Sequence, residues 1–375
     1  MAEKELVLKL AGGGPTRNPK KEVVGRDAFV AQMIERLEYT SIEMFAPRRL
    51  GKSWVLKLLE VKAPSPVMAV YMDLEGAHST YEFVDNVATA FKYAGKRLGA
   101  AVGKFLEGIE IGHLKNTGHK FPWKAHLDGV FQKLEAQNKP VWLLMDEFPL
   151  FLMNLTNNEE KKTATEILDY FRYVRQNYKN IRFVLTGSIG LHWVIEDLEG
   201  IGWRNPQNDD TKMTLEPLDL KEATRLAHAL FKGIGKGMGS AKELAEVVEG
   251  HPFYIQKAIE NWGQRKRGEG MADFCLRMAC KPDDPFEFAD LHKRLGNYFR
   301  RSASLAKSIL DLLAQEGECS VKEIQSQLKG DREEILNILN GLEKDGYVRL
   351  HEGRYKLIQT LFRKWWQVKQ GGSHV

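Results

Sequence analysis

Cysteine is scarce in this chain: Cys275, Cys280 and Cys319 are the only three among 375 residues. Their number and spacing exclude a disulfide framework or a zinc site, and they read as buried or idle thiols in a reducing compartment. Long apolar runs are missing as well, because no uncharged stretch reaches the length of a membrane span. The first residues include Glu3, Lys4 and Glu5 rather than an apolar segment, so a secretory leader is not expected. A strong excess of one charge is also absent. A net charge of +5 permits contact with nucleic acid without arguing for it. These absences point to a cytoplasmic protein with no membrane association. What is present is ordinary for a globular chain, with 43% apolar and 28% charged residues. The length is enough for two or three domains with real cores.

The most informative stretch is 41–56, SIEMFAPRRLGKSWVL. Ile42, Met44 and Phe45 predict a short strand, and Trp54, Val55, Leu56, Leu58 and Leu59 predict the apolar face of a helix. Between them lie Ala46, Pro47, Arg48, Arg49, Leu50, Gly51, Lys52 and Ser53, with the spacing of a nucleotide-binding P-loop. In such a loop, backbone N–H groups at a helix N-terminus surround phosphate oxygens. Gly51 lets the backbone approach, Lys52 can reach the β- and γ-phosphates, and the Ser53 hydroxyl can bind Mg²⁺. Ala46 departs from the pattern, which has glycine there, and alanine tolerates left-handed backbone less well.

The run 140–145, PVWLLM, is apolar throughout, as expected of a central parallel strand covered on both faces. It ends in Asp146 and Glu147. Two adjacent carboxylates at the tip of a buried strand are costly unless something binds them. The pattern is that of a Walker B element, with Asp146 supporting Mg²⁺ and Glu147 orienting or deprotonating the attacking water. Either motif alone has a plain structural explanation, a capped helix or a solvated acidic turn; both in the correct order define an ATPase site. A third β-prone run, 181–185, leads into Thr186, Gly187 and Ser188. Thr186 or Ser188 could stand near a γ-phosphate, or the triplet could simply form a turn.

This order of elements resembles the AAA+ superfamily of P-loop ATPases, in particular its archaeal-type, STAND-like signalling branch. The resemblance rests on Val24-Gly25-Arg26-Asp27, on residues 47–53, on 143–147, on 185–188 and on Gly250-His251-Pro252-Phe253-Tyr254, and it covers about residues 20–368. It implies that Val24, Gly25 and Arg26 lie at the adenine, with His251 and Pro252 near it at the start of a lid helix. It also implies bound ATP and Mg²⁺, contacts from loop residues through Trp54, and an arginine contributed by a neighbouring subunit. The only arginine in 189–212 is Arg204, the candidate for that role.

Periodicity and punctuation divide the chain into an extended lead-in at 1–22, an α/β ATPase core at 23–217, a helical lid and connector at 218–295, and a C-terminal domain at 296–370. The core is expected to hold a mostly parallel sheet with helices on both faces. Within it, helices are predicted at 27–38, 80–98 and 123–137, strands at 67–72 and 213–215, and a small Gly-rich insertion at 99–118. Three helices at 302–316, 320–329 and 331–344 precede two short strands around the turn His351-Glu352-Gly353, which resembles a winged-helix domain. The basic run Gln264–Gly268 reads as a solvated helix end. Glu333 and Glu334 at the start of the would-be recognition helix oppose a phosphate field, so protein contact ranks above weak DNA contact. Trp365 and Trp366 are read as a seal of the domain core rather than a binding patch.

The reading that follows is an Mg²⁺-dependent ATPase acting as a molecular switch. It couples nucleotide state to a protein partner or effector and is capable of homo-oligomerisation. The alternatives are a DNA-binding ATPase resembling origin-recognition or transposition regulators, and a nucleotide-bound scaffold with negligible turnover.

Overall fold

The computed structural model describes residues 6–11, 14, 16–98, 121–136, 138–157, 161–188, 190–200, 203, 210–235, 240–299 and 302–371. The chain forms two compact units. A sheet unit comprises Asp27–Phe45 and Lys52–Leu215, and a helical unit comprises Met1–Arg26, Ala46–Gly51 and Glu216–Val375. The anticipated insertion at 99–118 lies outside the described residues.

In the sheet unit, strands β1 (Ile42–Phe45), β2 (Met68–Asp73), β3 (Val141–Asp146), β4 (Ile181–Leu185) and β5 (Thr211–Thr214) lie in the order β2-β3-β4-β1-β5. Every pairing is parallel. All six residues of β3 are buried, as its unbroken apolar run requires of a strand covered on both faces. Side chains alternate across the pleat. Val141, Leu143 and Met145 of β3 therefore join Phe183 and the helices Thr80–Leu98, Trp123–Ala136, Phe148–Asn157 and Lys161–Asn177 in one apolar cluster. Phe171 is its centre, stacked 4.6 Å from Phe183 and 5.2 Å from Phe148. The helices Asp27–Leu37 and Lys52–Lys62 bury Val30, Met33, Val55, Leu56, Leu58 and Leu59. Parallel order brings the C-terminal tips of the strands to one edge, where open α/β sheets hold their ligands.

The helical unit begins with an extended segment whose Leu8 N–H donates to Ala229 O at 3.0 Å, followed by the short helix Pro19–Glu22. Helix Leu220–Ile234 starts at Asp219, whose side chain accepts the Glu222 N–H, and ends at left-handed Gly235. Helices Ala241–Val247, Pro252–Glu260, Met271–Ala279 and Phe288–Phe299 follow. The last of these runs past residue 295, where the helical lid and connector was expected to end. Beyond them come helices Ala303–Glu316, Val321–Leu328 and Arg332–Lys344, then β7 (Val348–His351), β8 (Arg354–Leu357) and helix Thr360–Gly371. A two-residue strand, β6 (Glu318–Cys319), adds a third member, giving the antiparallel order β6-β8-β7. Ser320 and Glu323 form a reciprocal cap at the start of Val321–Leu328. Trp365 and Trp366 are buried against Phe362, and the Trp366 indole N–H donates to Asp311 at 2.7 Å. The pair is core. All three cysteines are free, with Cys275 and Cys319 buried. Among the described residues, no helix is long and apolar enough to cross a membrane.

Candidate functional site

The sheet unit gathers Lys52, Ser53, Asp146, Glu147, Thr186 and Ser188 at the strand tips. Lys52 opens the helix Lys52–Lys62 and is buried, with Ser53 beside it in the first turn. Asp146 ends β3, is buried, and accepts a hydrogen bond from the Ser53 hydroxyl. Its Oδ1 also accepts the Glu147 N–H at 3.1 Å, and its Oδ2 accepts the Tyr71 hydroxyl at 3.2 Å. Burial pushes the Asp146 carboxyl up to about 6, and Glu147 and Asp73 add to the rise, against the Ser53 hydrogen bond and the Lys52 charge. A carboxylate this poorly solvated gains from a cation.

Glu147 follows the strand with φ +55°, in the left-handed region that favours glycine. Both of its carboxylate oxygens are engaged. The Ser188 N–H donates to Oε1 at 3.0 Å and to Oε2 at 2.9 Å, and the Ser188 hydroxyl donates to Oε2 at 2.8 Å. Gly187 makes that approach possible, since a Cβ there would lie 2.8 Å from Pro149 Cδ and 3.3 Å from Glu147 Oε2. Thr186 is buried and donates its hydroxyl to Met44 O at 2.8 Å, tying β4 to β1. Of the two polar residues that the sequence offered, Ser188 meets the acidic pair and Thr186 serves the sheet. Trp54 is half-buried on its helix.

The helical unit holds the remaining candidates. Val24 is buried, and Gly25 has φ +70° with the Glu222 Cβ only 2.7 Å from where its own would stand. Arg26 is buried too, donating from Nη1 to Glu216 O at 2.7 Å and from Nη2 to Leu50 O at 3.0 Å. Burial lowers its guanidinium to about 10, partly offset by Glu216. Arg26 thus braces the loop through the carbonyl of Leu50, itself buried. Ala46 and Pro47 are half-buried, and Gly346 passes close enough that a Cβ would meet Pro47 Cγ at 2.3 Å. Arg49 (φ +67°) and Gly51 (φ +94°) take left-handed backbone, so the tight turn of the loop falls after Ala46 rather than at it.

Arg48 pairs with Asp290, and Arg49 pairs with Glu287 while its guanidinium lies 4.3 Å from the centre of the Phe253 ring. His251 precedes Pro252, the first residue of Pro252–Glu260, and its ring sits 4.2 Å from that of Tyr254. Gly250 before it is required, because a Cβ would lie 2.0 Å from Leu218 O. A cavity of about 300 Å³ is lined by Arg48, Arg49, His251, Tyr254, Glu287 and Asp290, among others. Arg204 lies outside the described residues.

Three participants escaped sequence reasoning: Tyr71, Glu287 and Asp290. Tyr71 carried one faint signal, being two residues before Asp73 at the end of a β-prone run. Glu287 and Asp290 carried none, since their arginine partners are remote in sequence.

A search of family models finds no match, and neither does a search of curated proteins. Among solved structures, a Walker-type ATPase of Pyrococcus abyssi is similar with a TM-score of 0.65 at 16% identity, covering 96% of this chain and 99% of that one. The Orc2 protein of Aeropyrum pernix, in ADPNP and ADP complexes, gives 0.44 at 14% identity over 94% and 96% of the two chains. The Orc1 protein of the same organism, in complex with DNA, gives 0.39 at 13% identity over 99% and 98%. The last two likenesses are too weak to carry an argument. The first shows the fold: an α/β P-loop NTPase fold built on a five-stranded parallel sheet.

Proposed function

We propose that this protein is an ATP-binding and ATP-hydrolysing molecular switch of AAA+, STAND-like type, coupling nucleotide state to a protein partner through a C-terminal winged-helix domain. The observation that carries the reading is the meeting of Ser53, Asp146 and Glu147 at one edge of the sheet, beside buried Lys52. In this reading Lys52 neutralises the terminal phosphates, and residues 46–51 wrap them with backbone N–H groups. Val24, Gly25, Arg26, His251 and Pro252 border the base.

The donors offered to Mg²⁺ are a hydroxyl and a carboxylate, the hard oxygens that ion takes alongside phosphate and water. Ser53 and Asp146 fit it, because they already touch and because burial raises the Asp146 carboxyl despite the Lys52 charge, so a further cation is favoured there. Bound there, Mg²⁺ would neutralise charge on the phosphates. Glu147 orients the attacking water and accepts its proton on a carboxylate oxygen. Two donors of Ser188 engage that carboxylate in the structure, and in this reading they hold Glu147 in a resting arrangement that it leaves for catalysis. Arg204, contributed in trans within a homo-oligomer, is proposed to stabilise transition-state charge.

Coupling to a partner is supported by the ion pairs of Arg48 and Arg49. Both loop arginines are held by acids of the helical unit that also carries the C-terminal domain. Phosphate groups compete for the same guanidinium groups. Protein contact is favoured over DNA contact because Asp331 caps Arg332–Lys344 and places Glu333 and Glu334 in its first turn. Acids there complement the helix dipole and repel a phosphate backbone.

The test is phosphate release by the full chain and by Glu147→Gln. Glutamine keeps the size and hydrogen bonding of Glu147 but cannot accept the proton, so ATP should still bind while turnover falls at least about a hundredfold. Equal turnover in the two proteins would remove Glu147 from that role. Tight ATP binding with no turnover by the unaltered chain at any concentration would favour a nucleotide-bound scaffold.

A further inference from the structure

We infer that Tyr71 is a positioning residue for the metal-binding carboxylate, clamped by the P-loop helix so that its hydroxyl holds Asp146 Oδ2 toward the cation. The inference rests on the reading that Asp146 and Ser53 hold Mg²⁺ with ATP. Tyr71 lies in β2, the outer strand beside β3, opposite Leu144 in the register that also sets Asp73 opposite Asp146. Three contacts fix it. Its backbone N–H donates to Glu60 Oε1 at 3.2 Å. Lys57 Nζ lies 4.9 Å from the centre of its ring. Its hydroxyl donates to Asp146 Oδ2 at 3.2 Å.

Glu60 and Lys57 belong to the helix Lys52–Lys62 and stand three residues apart, on the same side of it. The helix that presents Ser53 at its first turn therefore grips Tyr71 farther along, and Tyr71 reaches back to the carboxylate that Ser53 also touches. The loop is closed: helix, outer strand, carboxylate, helix. An ionised carboxylate has room for about four hydrogen-bonding or metal contacts. The Glu147 N–H on Oδ1 and the Tyr71 hydroxyl on Oδ2 fix its plane from both ends and leave room for a cation. A partner that orients a metal-binding carboxylate in this way contributes to metal affinity without touching the metal.

The experiment measures Mn²⁺ binding to the full chain by electron paramagnetic resonance with a saturating non-hydrolysable ATP analogue. Affinity for the analogue is measured separately in EDTA. Tyr71→Phe keeps the ring under Lys57 and removes only the hydroxyl. It should weaken Mn²⁺ binding about tenfold, the lower end of what loss of such a partner costs, and leave metal-free nucleotide affinity within about twofold. Lys57→Met keeps the hydroxyl and the Glu60 contact and removes one of the two grips of the helix on Tyr71, so it should weaken Mn²⁺ binding less than Tyr71→Phe does. Unchanged Mn²⁺ affinity in Tyr71→Phe overturns the inference. So does an equal loss in Lys57→Met, which would assign the effect to strand–helix packing. Failure of the unaltered chain to bind Mn²⁺ with the analogue would sink the ATPase reading itself, an outcome distinct from either.

Discussion

Removing the Ser188 hydroxyl gives the sharpest view of how the acidic pair is controlled. Glu147 is held by two donors of Ser188, the N–H at 3.0 and 2.9 Å and the O–H at 2.8 Å. A hydrogen bond to a charged group contributes about 1.5–3 kcal/mol, and Ser188→Ala deletes one of them while leaving the N–H. If turnover requires Glu147 to swing away, the hydroxyl adds that amount to the barrier, and each 1.36 kcal/mol is tenfold in rate. Ser188→Ala should therefore raise single-turnover phosphate release about tenfold or more, with ATP affinity unchanged. The small side chain is accommodated easily, because Ser188 is only half-buried. A fall in rate with intact ATP binding would refute the reasoning. Ser188 would then hold Glu147 in its working position rather than its resting one.

Two further outcomes follow from charges at the site. Asp146→Asn should stabilise the protein in EDTA. A folded-state carboxyl raised from 3.8 to about 6 contributes stability that is complete below 3.8 and lost as pH rises through 6, a difference of about 3 kcal/mol above that range. Thermal melts should show the variant level with the unaltered chain near pH 3.5 and ahead of it at pH 8; no divergence across that window would show that Asp146 is not desolvated. The double change Glu287→Gln, Asp290→Asn frees Arg48 and Arg49, and half-exposed pairs of this kind contribute about 0–1 kcal/mol each. Calorimetry should give severalfold tighter binding of ATP with little change in melting temperature, and weaker binding would show that these acids support the loop instead of competing for it.

Much of the sheet unit was legible because its strands are apolar runs bounded by turn or charged residues. Runs 140–145 and 181–185 lie where β3 and β4 are found, and Asp146 proves to be the last residue of the strand rather than the first after it. The run 67–72 is displaced by one residue in β2, and the short last strand is Thr211–Thr214 where 213–215 was expected. A four-residue strand with half-exposed and exposed positions gives little periodicity to read. Three helices and a hairpin near the C-terminus were visible from spacing, whereas Glu318–Cys319 is too short to leave a pattern. The order of the strands was not legible, since parallel pairing depends on contacts across long connections.

At the site, chemistry was legible and partnership was not. The sequence offers Thr186 and Ser188 on equal terms, and only the packed sheet directs one hydroxyl to Met44 and the other to Glu147. Nothing near Arg26 in the sequence foretells that its guanidinium donates to the carbonyls of Leu50 and Glu216. Arg48 and Arg49 look like free cations of a phosphate loop, and acids far along the chain neutralise them. Such pairings arise from tertiary proximity, which no local pattern encodes.

The central claim is that residues 46–53 hold the phosphates of ATP. Isothermal titration of the full chain with ATP and Mg²⁺, beside Lys52→Ala, tests it most directly. The account predicts saturable binding to one site per chain, lost in Lys52→Ala while circular dichroism and melting temperature stay those of a folded protein. Equal affinity in a folded Lys52→Ala protein would contradict it.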